Sequence, residues 1–137
     1  MVESAGWGRA KDGLYTKGKR GTAMLTTEAL RALGADVDDG IRRCINNEVF
    51  YLKMVDKALG DLTTEDLRAA LAAGDLTRAF ELCHAMKGVL ANLSLTPALT
   101  PASQLTELLR ERKDMDYAPL TEQLEAQLQA LKKLKED

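Results

Sequence analysis

From residue 26 onward the apolar side chains recur every three or four positions, in runs cut by glycine, asparagine and proline. That spacing admits helices and little else. Residues 80–95, Phe-Glu-Leu-Cys-His-Ala-Met-Lys-Gly-Val-Leu-Ala-Asn-Leu-Ser-Leu, show it best. At about 100° per residue, Leu82, Met86, Val89 and Leu93 cluster on one face, flanked by Ala79, Cys83 and Leu90. His84 points away from them. On its side lie Thr77, Phe80, Lys87, Gly88 and Ala91, with Glu81 at the margin.

The same reading extends along the chain. Thr26 or Thr27 can cap a short helix to Leu33, which Gly34 ends. Val37, Ile41, Cys44 and Ile45 keep helical spacing. Asn47 is a good N-cap for a helix that carries Val49, Phe50, Leu52, Val55, Ala58 and Leu59 and stops near Gly60. Thr63 or Thr64 opens a helix over 65–73, with Leu67, Ala70 and Leu71 on its face. Gly74 breaks it, and Asp75 can cap the central helix. Two Thr-Pro pairs follow, at 96–97 and 100–101. A helix begun at Pro97 would carry Pro101 inside it and lose a backbone hydrogen bond, so the expected start is near Pro101. It runs through Leu105, Leu108 and Leu109 to Arg112. After a polar connection over 113–116, Asp116 caps a last helix with Pro119 in its first turn. Leu120, Leu124, Leu128, Leu131 and Leu134 form a stripe too short for a coiled-coil seam, hence bundle core. Four longer helices joined by short turns predict an all-α fold: an antiparallel four-helix bundle, with short additional N-terminal helices across one end. Aromatic residues at only 4% of 137 fit a helical core better than a sheet.

Residues 1–25 differ. Five glycines and five basic residues stand there without a helical or strand period, which predicts a flexible basic leader or linker ahead of a domain over 26–137. The functional alternative is a docking segment using Trp7 and Tyr15. A net charge of −2 gives no case for nucleic acid. No apolar run approaches the roughly 20 residues that cross a bilayer, and no signal-peptide core follows the start. A cytoplasmic protein without membrane association is expected. Cys44 and Cys83 lack metal-ligand spacing and read as buried free thiols of a reducing compartment. Asp36, Asp38 and Asp39 lack the pattern of a calcium loop, so no metal site is expected.

His84 is the one histidine of the chain. Residues three and four positions on are its neighbours on a helix surface. Lys87 can therefore place an ammonium beside the imidazole, and Gly88 removes any side chain from the other neighbouring position. A mid-helix glycine costs about 1 kcal/mol relative to alanine, and room for something to approach the imidazole is a reason to keep it. The residues alone describe an accessible nucleophilic or anion-binding histidine with no general base beside it. Hydrolase and metal-enzyme readings lack a second catalytic residue.

The run His84-Ala-Met-Lys-Gly, continued by Ala-Asn-Leu-Ser, resembles the H-x-[LM]-K-G-x-x-x-N-[LM]-G signature of histidine-containing phosphotransfer (HPt) domains. Residues 33–44 and 46–52 also resemble the N-terminal part of many bacterial members. Two positions depart: Ser94 stands where the family usually has glycine, and Ala91 where glycine or another small residue is common. The resemblance implies that His84 accepts a phosphoryl group from a receiver-domain aspartyl phosphate and passes it to another receiver aspartate. Lys87 would attend the phosphoryl oxygens and Gly88 would leave space for the receiver. Phe80, Thr77 and Ala91 would line the docking surface. Phe80 has a competing expectation, packing under the short N-terminal helices. The chain would be a monomeric phosphoryl carrier rather than an enzyme, binding no cofactor itself. Mg2+ would come with the receiver. Its partners would be response-regulator receiver domains or a hybrid histidine kinase. Alternatives are the kinase-fed phosphoacceptor domain of a chemotaxis-type histidine kinase and a non-catalytic helical adaptor.

Overall fold

The computed structural model describes residues 7–9, 15–17 and 24–135. Its body is an all-α bundle of α1 (Thr27–Ala32), α2 (Val37–Arg43), α3 (Glu48–Asp61), α4 (Glu65–Ala72), α5 (Leu76–Asn92), α6 (Thr96–Arg110) and α7 (Ala118–Lys133). Ahead of it, β1 (Trp7–Arg9), β2 (Tyr15–Lys17) and β3 (Met24–Leu25) pair antiparallel in that order. Pieces this short carry too few residues to show a period in sequence. The rest of the leader expected over 1–25 lies outside the described residues. Among the described residues, no helix is long and apolar enough to cross a membrane.

The four long helices are α3, α5, α6 and α7, with the shorter α4 between α3 and α5 in the chain. α5 packs against α4 and α6, α6 against α7, and α7 against α3. Their shared core includes Leu52, Val55, Leu59, Cys83, Leu90, Leu105, Leu109, Leu124, Leu128 and Leu131, all essentially inaccessible. The expected leucine stripe of α7 is thus core, with Leu120 and Leu134 at its half-buried edge. Polar ties close the periphery. Thr64 Oγ1 and Arg68 both donate to Glu125, joining the start of α4 to α7. Lys135 Nζ donates to the Asp56 carbonyl of α3 at 3.0 Å.

Helix starts follow side-chain capping. Backbone N–H groups donate to Thr26, Asp36, Asn47 and Asp75 at the heads of α1, α2, α3 and α5, at 2.9–3.2 Å. Each satisfies a donor that the first turn leaves without an intrahelical partner.

Several expectations need correction. α6 begins at Thr96, so Pro101 does lie inside a helix, which ends at Arg110 rather than Arg112. Ala98, Pro101, Ala102 and Leu105 are all buried there, and this packing outweighs one forgone backbone bond. In α3, Phe50 is 40% exposed, while its neighbour Tyr51 is buried and donates its hydroxyl to the Leu93 carbonyl at 2.9 Å. Ile45 ends outside α2, in the left-handed region at φ +53°, and is 76% exposed. In α5 the buried line runs through Ala79, Cys83, Met86 and Leu90, and Val89 is 38% exposed. Two flanking helices, α4 and α6, set that arc, so it sits to one side of the apolar centre read from periodicity.

α2 lies over the end of α5, and Ser94 is the joint. The Leu95 N–H reaches the Leu90 carbonyl and the Ser94 N–H reaches that of Ala91, the double closure of a Schellman ending. Ser94 occupies the left-handed position of that motif, φ +53°, where glycine carries no Cβ penalty. This gives a physical reason for glycine at the equivalent position of the signature. Here the serine side chain compensates by donating its hydroxyl to Asp39, while the residue's backbone carbonyl accepts from the Asp36 N–H at 3.0 Å.

The hydrogen bond from Ser94, aided by Arg43, holds the Asp39 carboxyl down to about 2. A carboxyl depressed in the folded state contributes stability above its ordinary value near 3.8, and that contribution is lost as pH falls through about 2. Ser94→Ala should therefore be less stable than wild type at neutral pH, with the gap narrowing between pH 4 and pH 2. Urea melts at pH 7, 4 and 2 check this; a gap independent of pH contradicts it.

Candidate functional site

Every residue singled out around the histidine lies on α5, and the helix places them along one outward flank. His84 and Thr77 are exposed, while Phe80, Lys87 and Ala91 are half-buried. A Cβ built on Gly88 meets no atom of the described residues within 4 Å. The glycine is thus an open position beside the imidazole, and no packing among the described residues requires it.

The imidazole is propped from behind. Its ring stacks on Phe80, with centroids 5.6 Å apart and planes 13° from parallel. The Arg110 guanidinium of α6 lies over the same phenyl ring, 5.1 Å from its centroid, a cation–π distance. Phe80 therefore packs between the histidine and α6. The competing expectation, that it sits beneath the N-terminal helices, is not what the fold shows.

α6 contributes two residues that the sequence reading missed. Glu107 takes Arg110 at 3.3 Å and the Lys87 ammonium at 3.6 Å, both through Oε2. The Arg110 hydrogen bond, with Lys87 adding a smaller effect, keeps the Glu107 carboxyl below the usual carboxylate range. Phe80 and Arg110 lie equally far in sequence from Leu95, at the turn between α5 and α6. Antiparallel pairing about that turn was the available signal. Further along, Arg112 donates to the Thr77 hydroxyl.

Cys83 precedes His84 yet shares none of its chemistry. It is fully buried, and burial pushes its thiol up to about 12, so it stays protonated and inert. Cys44 is buried too, and neither cysteine is in a disulfide.

The arrangement is an exposed imidazole on a rigid bundle helix, a cation one turn on, an open glycine beside it and an aromatic support behind. The family model for the Hpt domain matches residues 60–134, over half of the chain. The chain belongs to the Hpt domain family, the phosphocarrier modules that carry out histidine phosphotransfer in two-component signalling. Such domains interact in general with receiver domains and histidine kinases. The match starts at residue 60, so the upstream likeness over 33–52 falls outside it. No curated protein and no solved structure matches the chain.

Proposed function

We propose that this protein is a phosphorelay intermediate whose His84 accepts a phosphoryl group from the aspartyl phosphate of one receiver domain and passes it to the aspartate of another. The observation that carries this reading is the exposed His84 imidazole beside the open position at Gly88. Together they leave a partner's active site free to close on the ring.

In the forward step a ring nitrogen attacks phosphorus. The N–P bond forms as the bond from phosphorus to the aspartate oxygen breaks, and the carboxylate leaves. The return step reverses this on a second aspartate. Lys87, three residues on along the helix, offsets charge on the phosphoryl oxygens in this reading, an effect worth most when water is excluded by the docked partner. Phosphoryl transfer also requires charge neutralisation by metal. The carboxylate that the described contacts bring to the site, Glu107, is already engaged by two cations. The receiver is the source of Mg2+ in this reading, and the chain acts as a monomeric cytoplasmic carrier without turnover of its own.

Phe80, Thr77 and Ala91 form the docking border. Phe80→Ala should lower the rate of transfer from a receiver about tenfold, the loss typical of a side chain that holds reacting groups in line. It should cost only about 1–2 kcal/mol of stability, since the ring is half-buried. Transfer at the wild-type rate removes Phe80 from the site.

The function itself is tested by presenting phosphorylated receiver domains of the same genome to wild type and to His84→Gln. Acid-labile label on wild type alone supports the relay. Label arriving only from a histidine kinase favours the kinase-fed alternative.

A further inference from the structure

Lys87 is not free in the resting chain. Its ammonium shares Glu107 Oε2 with Arg110, at 3.6 Å and 3.3 Å. We infer that Glu107 is a positioning residue for phosphotransfer: it holds Lys87 off the unphosphorylated imidazole and yields it to a phosphoryl group on His84. The inference rests on the proposed role of His84.

Three features support it. The Lys87–Glu107 pair is partly exposed, with side-chain accessibilities of 32% and 56%, so it is weak and reversible. A phosphoryl group carries more negative charge than a carboxylate and offers three strong acceptor oxygens, so it wins the competition for the ammonium. Arg110 stays on Glu107 through Nε and Nη2 at 3.4 and 3.3 Å, so the carboxylate is not stranded when Lys87 leaves. Arg110 is itself seated over Phe80, which gives the carboxylate an anchored partner besides Lys87. The grip of Glu107 on Lys87 then subtracts from the stability of phosphohistidine. Glu107 thereby sets how readily the group moves on to the next aspartate.

The test is the equilibrium distribution of phosphoryl label between a receiver domain and this chain. Wild type, Glu107→Gln, Lys87→Met and the double variant are compared. Glu107→Gln should raise the phosphohistidine share about two- to fivefold, the range that loss of one exposed ion pair allows. In the Lys87→Met background the same change should have no effect. That second arm separates release of Lys87 from the bare removal of a negative charge, which would act with or without the lysine. A Glu107→Gln share equal to wild type overturns the inference, and so does an equal rise in both backgrounds. A wild type that takes no label from any receiver overturns the reading of His84, and this inference with it.

Discussion

Gly88→Leu is expected to leave the bundle as stable as wild type, or more so, while cutting receiver-to-His84 transfer about 100-fold. Mid-helix leucine is favoured over glycine by close to 1 kcal/mol, and an added Cβ at this position meets no atom of the described residues within 4 Å. The first carbon of a new side chain meets no obstacle among the described residues. In the proposed relay the cost falls on the partner, because the isobutyl group would occupy space beside the exposed imidazole where a docking receiver approaches. Near-attack geometry tolerates little displacement, and a shift of about 1 Å is worth about two orders of magnitude in rate. Thermal melts and transfer kinetics on one preparation check both halves. Transfer unchanged in a folded Gly88→Leu would place the docking surface elsewhere.

Gly40→Ala is expected to do the opposite, lowering stability while leaving the chemistry of His84 untouched. An added Cβ there would stand 2.3 and 2.8 Å from ring carbons of Tyr51 and 2.9 Å from the Leu93 carbonyl oxygen. The ring cannot swing aside, since Tyr51 is wholly buried and its hydroxyl is bonded to that carbonyl. Overpacking of this kind costs about 1–3 kcal/mol, and the gain in helix propensity offsets about 1 of it. The net loss falls on the docking of α2 against the end of α5, and a urea midpoint measures it. Tyr51→Phe keeps the shape and loses the hydrogen bond, for about 1 kcal/mol. A Gly40→Ala protein as stable as wild type would mean that α2 is not seated on Tyr51.

The outline of this fold was legible because its signals are local. Asn47 and Asp75 cap as their residue types predict, and the leucines of α7 face inward as their spacing predicts. What escaped depends on neighbours that local spacing does not name. Phe50 and Tyr51 are both large aromatics, and α2 together with the Leu93 carbonyl decides which turns inward. Val89 is apolar and outward because α4 and α6 define the buried arc of α5. Pro101 sits inside α6 because burial of the surrounding residues outweighs one missing bond. At the site, the residues of α5 could be read from a single helical phase. Glu107 and Arg110 could not, since they enter from α6 across the turn.

Phosphorus NMR of the chain after incubation with a phosphorylated receiver, repeated on His84→Gln, shows whether His84 is the phosphoacceptor. The chain has one histidine, so a phosphoramidate signal locates itself. Wild type should give a single acid-labile phosphoramidate resonance and the variant none. An acyl phosphate in either protein, or a signal that survives His84→Gln, would contradict His84 as the phosphoacceptor.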